Sequence, residues 1–593
     1  MITGMKVKEM VKSLQLFRKD TVPEQLTTVW GENRRTQDPL QEYPRPQMVR
    51  RNYEILNGTF RYAFTKDCNT PIAWDGEILV PFSPECAMSG VNRQLQPDEF
   101  LWYEKEFVLD EIPEGNRLLL HFGACDERCR VYINGEKVGF HSGGYLAFSF
   151  DITSYIKNGT NKLQVCVRDK TDTSYHGRGK QKLKNGGMFY TAQSGLWQTV
   201  WYEWVSETYI EKLRITPLYD EDSVQIELSV KGDDAEKKLP CHVGIYEENL
   251  VVSEWTQTGA EKMVIAVPNK RSWSPVSPFL YKVIITYGED RIESYFGMRL
   301  FSMEKDMDGI PRLCLNHVPY FQNGILDQGY WPESLLTPPS DEAMIYDITT
   351  AKRLGFNMIR KHCKIEPMRW YYHCDRLGML VWQDMINGGE AYNFVMTSYI
   401  PTVFRGLRKM KDTYYGYMSR KNPKGRREWK RECCQTVEQL YNCPCICTWV
   451  LFNEGWGQFD AEKNTRMVQR LDQTRFIDAH SGWFNQGAGD VRSEHIYFFD
   501  LLVEKSPKPY VISEYGGLTC HVDGHSYSQE AFGYETYGEI KEFAKAYQKM
   551  LRKIEGLQRE GLCAAVYTQL SDIEEEVNGI MTYDRKVVKV KPR

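Results

Sequence analysis

The sequence predicts three successive units: two β-sandwiches followed by a (β/α)8 barrel. Three observations carry this. The chain has 593 residues, too many for one hydrophobic core. Its first half reads as short alternating strands punctuated by Gly and Asn turns. After about residue 300 the pattern changes to strands alternating with amphipathic helices, the signature of a parallel sheet.

Residues 1–204 form the first unit. LLLHFGACDERCRVYINGEKVGFHSGGYLAFSFDITSYI contains alternating runs with turns at Asn134-Gly135 and Gly143-Gly144, and NKLQVCVRD and GLWQTVWYEWV continue the pattern. Residues 205–300 form the second, with SVQIELSV, CHVGIYE, MVIAVPN and YKVIITYG spaced like the strands of a smaller sandwich. WSPVSPFLY (273–281) is the proline-rich turn between two of them.

Residues 301–593 form the third. Ser340 is placed as an N-cap and Gly355 as a C-cap around SDEAMIYDITTAKRLG. Eight strands are expected, at 320–327, 356–362, 379–384, 446–453, 475–482, 494–498, 509–513 and 562–568. In such a barrel the strand ends build the active site, and Asp327, His362, Asp384, Glu454, Tyr497 and Glu514 stand at or near them.

The net charge of −4 gives no electrostatic footprint for nucleic acid, and the one dense basic run, KNPKGRREWKRE (421–432), reads as a solvated face. No stretch approaches the roughly 18 apolar residues of a membrane span. The first twenty residues carry no apolar secretory core, so a cytoplasmic protein with its 16 cysteines reduced is expected. CPCIC (443–447) has a metal-like look, but its i, i+2, i+4 spacing puts three thiols on one strand face, where packing is the better account.

The chemistry concentrates in two places. WVLFNEGWGQFD (449–460) is an apolar run that ends on Asn453-Glu454 with Gly455-Trp456-Gly457 behind it, and KPYVISEYGG ends the same way on Glu514. Two carboxylates on strands four and seven face one another across the mouth of a barrel. Glycoside hydrolysis needs that pair: one acid for the leaving oxygen, one carboxylate on the other face of the ring.

LDQGYWPESLLTPPSDEA, GFNMIRKH, WVLFNEGWGQFD and SEYGG, in this order, make the chain resemble glycoside hydrolase family 2, the β-galactosidases, β-glucuronidases and β-mannosidases. The resemblance covers nearly the whole chain. It implies that the sandwiches are a sugar-binding jelly roll and an immunoglobulin-like domain and that the barrel is a catalytic TIM barrel. It further implies an exo-acting, retaining β-glycosidase with Glu454 as general acid/base and Glu514 as nucleophile, and with Asn453 on the sugar 2-hydroxyl.

His362 matches a family histidine near the sugar, although a core histidine bonded to backbone fits equally. Tyr497 is placed like the tyrosine that touches the nucleophile. Asp327 and Trp331 are expected to line the pocket, with Asp384 a further substrate contact. The acidic run in YTQLSDIEEEVNG (567–579) supplies hydroxyl contacts or is simply solvated. No metal ligand set is evident, so neither metal nor cofactor is expected. The expected partner is a glycoside, with no nucleic acid and no membrane, and a homo-oligomer is left open. Family β-glucuronidases grip the substrate carboxylate with Asn-x-Lys before a Gly-Ile pair, whereas this chain has Glu576-Val577-Asn578 before Gly579-Ile580. A neutral terminal sugar, galactose first, is therefore expected. A β-glucuronidase, a carbohydrate-binding relative without catalysis, and a phosphate-binding barrel enzyme are the alternatives.

Overall fold

A computed structural model describes residues 25–32, 38–232, 238–392, 410–529 and 532–592. Three units follow one another as the patterning predicts. The first is a sandwich of a six-stranded and a four-stranded antiparallel sheet. The strands Arg128–Ile133 and Glu136–Ser142 are joined by Asn134 and Gly135 at φ +53° and +86°, the left-handed pair that a two-residue hairpin requires. Leu118, Leu120, Val131, Leu163 and Val165 alternate inward and form the core between the two sheets. The second unit packs a three-stranded sheet on a four-stranded one, and all four runs named from the sequence are strands.

A small antiparallel sheet, Phe301–Lys305 with Pro311–Leu315 and Val318–Pro319, precedes the barrel. The barrel strands are β1 Gln322–Asp327, β2 Met358–Lys361, β3 Leu380–Asp384, β4 Ile446–Val450, β5 Phe476–Asp478, β6 Arg492–Ile496, β7 Tyr510–Gly516 and β8 Leu562–Thr568. They pair in the order β5-β4-β3-β2-β1-β8-β7-β6, every neighbour parallel. All eight expected strands are present. β5 and β6 share no ladder among the described residues; across that seam the Ser493 hydroxyl donates to Asp478 at 2.6 Å.

Helices α1 Asp341–Arg353, α2 Met368–Leu377, α3 Pro423–Leu440, α4 Ala461–Leu471 and α5 Ile540–Arg559 are the described barrel helices. The Ser340 hydroxyl accepts from the Ala343 N–H, and Gly355 follows the α1 C-cap at φ +92°. The basic run lies on the first half of α3 and is largely solvated, with Gly425 and Trp429 turned inward. No helix among the described residues is long and apolar enough to cross a membrane.

Two expectations are corrected. Of the CPCIC thiols only Cys447 lies in β4; Cys443 and Cys445 sit in the preceding turn, where Ile446 N–H bonds back to Cys443 O. All three are buried, and burial pushes the Cys447 thiol up to about 12. The acidic run after β8 is not solvated: Glu574 and Glu576 are buried.

That burial comes from the first sandwich, whose segment 176–191 crosses the barrel mouth from the loop after β3 to the loop after β8. At one end the Arg178 and Gly179 N–H groups donate to Asn387 O at 2.9 and 3.0 Å. At the other, Asn185 donates to Glu574 at 2.6 Å, Gly187 N–H to Glu575 at 2.7 Å, and the Tyr190 hydroxyl to Glu576. His176 locks the near end, with Nδ1 2.5 Å from Glu428 on α3 and Nε2 3.0 Å from Glu127.

Candidate active site

The turn after β4 is built to hold Glu454 in a backbone state that side chains seldom adopt. Its φ is +51°, and Gly455 and Gly457 follow at +72° and +66°. A Cβ on Gly455 would lie 2.3 Å from the Phe484 ring, and one on Gly457 would lie 2.1 Å from Gly388 O. Only glycine fits at either position, which explains the spacing of the motif. A non-glycine residue in the left-handed region costs about 1–3 kcal/mol, strain that concentrates at functional sites.

Glu514 is aimed by a bulge. Between Ile512 and Tyr515, β7 carries one more residue than β8 opposite it, so the alternation resets at Ser513-Glu514. The two carboxylates meet at His495, whose Nδ1 is 2.8 Å from Glu454 and 3.5 Å from Glu514. One oxygen of each glutamate and one ring nitrogen lie within 4.8 Å of one another. Ser481 Oγ holds the other ring nitrogen at 2.9 Å.

The environments of the two acids differ. Glu514 accepts from Tyr497 at 2.5 Å and from Arg360 at 3.1 Å. Burial alone would raise its pKa; the charges of His495 and Arg360 outweigh that and hold it down at about 2. Arg360 is fully buried on β2 and is itself fixed by both oxygens of Asp384 at 3.0 Å. Its remaining donors reach Asn453 Oδ1 at 2.8 Å and Ser513 O at 3.1 Å. His362 Nδ1 lies 2.6 Å from Asp384, and burial lowers its pKa against that partner. Glu454, by contrast, has His495 as its ion partner among the described residues.

Six of the eight residues expected from the sequence thus converge: Glu454, Glu514, Asn453, Tyr497, Asp384 and His362. Asp327 and Trp331 do not join them. Asp327 pairs with Lys361, which stands 4.3 Å over the Trp370 ring of α2 on the helix side of the barrel wall. Trp331 is 2% exposed, covered by the Arg585 guanidinium 4.2 Å over its ring and by the Trp30 edge. Neither presents a surface to a sugar. Arg360 and His495 are the members that the sequence reading missed. Both carried a signal: each is a polar residue inside a barrel strand, two positions from a residue that was identified (His362, Tyr497) and so on the same strand face.

Two trios have cation-ligand geometry, Glu454–His495–Glu514 and His362–Cys363–Asp384. Their anionic oxygens already face Arg360, Tyr497 and His495, and burial pushes the Cys363 thiol well above its ordinary range. A crevice of about 370 Å³ opens where the three units meet and shares no lining residue with the carboxylate cluster.

Two β-sandwiches leading into a parallel barrel with paired glutamates at its mouth define the multidomain glycosidase class of architecture. Family models match in the same order: the sugar binding domain of glycosyl hydrolases family 2 over residues 89–200, the second family 2 domain over 208–299, and the family 2 TIM barrel domain over 339–590. The chain belongs to glycosyl hydrolase family 2. A β-galactosidase of Thermoanaerobacter pseudethanolicus is 26% identical over 390 residues, 63% of this chain and 47% of that one. A putative β-glucuronidase of Formosa agariphila is 22% identical over 531 residues, 81% of this chain and 56% of that one. The chain spans about half the length of these curated relatives. A Ruminococcus gnavus β-glucuronidase superposes with a TM-score of 0.72 at 17% identity, covering 92% of this chain and 97% of that one. A β-galacturonidase from Eisenbergiella tayi, solved with galacturonate, gives 0.68 at 18% identity, covering 93% and 97%. At these identities the likeness concerns the fold.

Proposed function

We propose that the protein is an exo-acting, retaining β-glycosidase that removes terminal sugars by double displacement. The observation that carries this is the asymmetric carboxylate pair, joined within 4.8 Å at His495, with only Glu514 clamped by both Arg360 and Tyr497. Retaining enzymes keep their carboxyl groups about 5–5.5 Å apart, inverting ones further. In the first step Glu514 attacks the anomeric carbon while protonated Glu454 gives its proton to the glycosidic oxygen, and that C–O bond breaks. In the second, Glu454 takes a proton from water, the water oxygen bonds to the anomeric carbon, and Glu514 leaves as carboxylate. Arg360 fixes the Asn453 amide by its oxygen, the orientation that turns the Nδ2 donors toward a 2-hydroxyl.

The terminal sugar is read as neutral, with β-galactosides first. Support comes from Glu576, a buried carboxylate near enough to the barrel mouth that its charge, after burial and together with those of Glu454 and Glu514, raises the Tyr534 hydroxyl. A panel of nitrophenyl glycosides with NMR observation of the first-formed anomer tests the reading. A β-anomer as first product is expected; an α-anomer would overturn the double displacement, and no turnover of any glycoside would favour the carbohydrate-binding alternative.

A further inference from the structure

Segment 178–184, Arg-Gly-Lys-Gln-Lys-Leu-Lys, places four cations in seven residues with no acid among them, beside the turn that carries Glu454. Three of them surround one aromatic group. Lys180 Nζ stands 5.8 Å from the Trp456 ring centroid and 5.6 Å from that of Tyr190. Lys182 lies 5.0 Å over Phe189, which stacks on Trp456 at 5.6 Å. Arg178 lies 4.7 Å over Tyr392, which leans on Trp456 at 5.7 Å.

Lys180 has no carboxylate partner among the described residues. The deeply buried lysines of this chain behave otherwise: Lys361 pairs with Asp327 and Glu366, Lys364 with Glu366, and Lys589 with Asp572. The Lys180 ammonium is half-buried beside these rings and close enough to His362 and Cys363 for its charge to act on both, and no carboxylate among the described residues neutralises it ahead of an incoming anion. Two further polar atoms of the aromatic group, Trp456 Nε1 and Tyr392 Oη, are buried with no hydrogen-bond partner among the described residues. Buried donors of this kind are destabilising until something accepts from them.

We propose that this cationic, aromatic wall from the first sandwich binds a carboxylate on the leaving group, so that the substrates are glycosides whose second sugar is acidic. The proposal rests on the double displacement above. It places the anion beyond the scissile bond for two reasons. Trp456 lies two residues past Glu454, the acid that protonates the leaving oxygen, so the wall borders the leaving-group side. Exposure also grows along the segment, from half-buried Lys180 and Lys182 to exposed Lys184, a path leading outward from the mouth along a chain of sugars. Stacking under a pyranose and charge-assisted bonds to its carboxylate are what aromatic rings and ammonium groups together supply.

The test compares two disaccharides ending in the same β-galactose, one with a uronic acid as second sugar and one with its neutral counterpart, alongside nitrophenyl β-glucuronide. Wild-type protein is expected to cleave the acidic disaccharide at least about tenfold better in kcat/KM. Lys180→Met is expected to abolish that ratio and Lys180→Arg to keep it. Absence of an acid preference, or one that survives in Lys180→Met, overturns the proposal. A preference for the glucuronide that Lys180→Met removes overturns the leaving-group placement and the neutral-sugar reading together. If no glycoside is turned over, calorimetric titration of both disaccharides replaces the kinetic ratio: at least about tenfold tighter binding of the acidic one, lost in Lys180→Met, upholds the wall, and equal binding overturns it.

Discussion

Arg360 Nη1 stands 3.1 Å from Glu514 Oε1 with both residues buried, so the proposed nucleophile carries a built-in countercharge. Burial would raise the Glu514 carboxyl, but His495 and Arg360 together hold it ionised down to about pH 2. A depressed carboxylate contributes stability that is present above its unfolded pKa and is lost as pH falls through the folded one, so this pair supports the barrel down to strongly acid conditions. Arg360→Met removes the charge while burial still disfavours the anion, so the Glu514 pKa must rise. The acid limb of kcat/KM is expected to move up by about 1–3 pH units, with Arg360→Lys shifted less. An acid limb unchanged in a folded Arg360→Met protein would contradict the assignment of Glu514 as the ionised partner.

Removing the nucleophile has a simpler signature. Glu514→Gln keeps the shape and one acceptor oxygen for Arg360, but cannot form a glycosyl ester. A loss in kcat of at least about 10⁴-fold is expected, with the thermal transition retained. Near-wild-type turnover would take Glu514 out of the mechanism.

Glu454→Ala should discriminate between leaving groups. Activated nitrophenyl glycosides leave without a proton and are expected to form the glycosyl-enzyme almost normally, whereas unactivated disaccharides stall at that step. Azide should then relieve the slow second step and yield a β-glycosyl azide, read by NMR. An α-azide product is incompatible with retention.

The residues that were legible in the sequence are those whose surroundings are local. Glu454 and Glu514 each follow an apolar run and stand one or two residues ahead of a glycine, so run, turn and acid are all visible within a dozen positions. The eight strands were legible for the same reason, because alternation with helices is a short-range pattern. Asp327 and Trp331 were misjudged because proximity to a strand end does not say which side of the wall a side chain faces. Of the two alternatives for the acidic run 574–576, the solvated one fails for a reason the sequence hides: its donors, Asn185, Gly187 and Tyr190, lie more than 380 residues away in another unit. Lys180 was invisible on the same grounds: the sequence gives no sign that a jelly-roll loop crosses the barrel mouth.

The clasp at the near end of that loop should depend on pH. His176 lies between Glu127 and Glu428; burial disfavours its charge, but the two hydrogen-bonded carboxylates prevail and raise its pKa to about 9. A histidine so raised contributes stability that is complete below its unfolded pKa of about 6.5 and is lost as pH rises through about 9. The melting temperature is expected to fall between pH 7 and pH 9.5 by more in wild-type protein than in His176→Gln. Parallel pH profiles for the two proteins would remove His176 as the source.

The last prediction concerns the terminal sugar. Glu576 is 5% exposed, accepts from the Tyr190 hydroxyl and from Asn578 Nδ2 at 2.9 Å, and so is oriented by both the first sandwich and its own loop. Asn578 is fully buried and is further held by Gln569, whose amide donates to it at 2.7 Å. The stretch that corresponds to a carboxylate-gripping Asn-x-Lys therefore presents an acid and an amide already engaged, with no cation. Asn422-Pro423-Lys424 does not substitute for it, since Asn422 caps α3 with its side chain on the Lys424 N–H. A sugar carboxylate beside Glu576 meets a like charge where a glucuronidase supplies a charge-assisted bond worth about 1.5–3 kcal/mol. Neutral nitrophenyl β-glycosides, galactosides first, are expected to exceed the β-glucuronide at least about tenfold in kcat/KM, a difference of about 1.4 kcal/mol. Glu576→Gln should narrow that gap by relieving the repulsion while the amide still accepts from Tyr190. If the glucuronide is instead the best substrate of the panel, or if Glu576→Gln leaves the ratio untouched, the charge of Glu576 does not select the sugar.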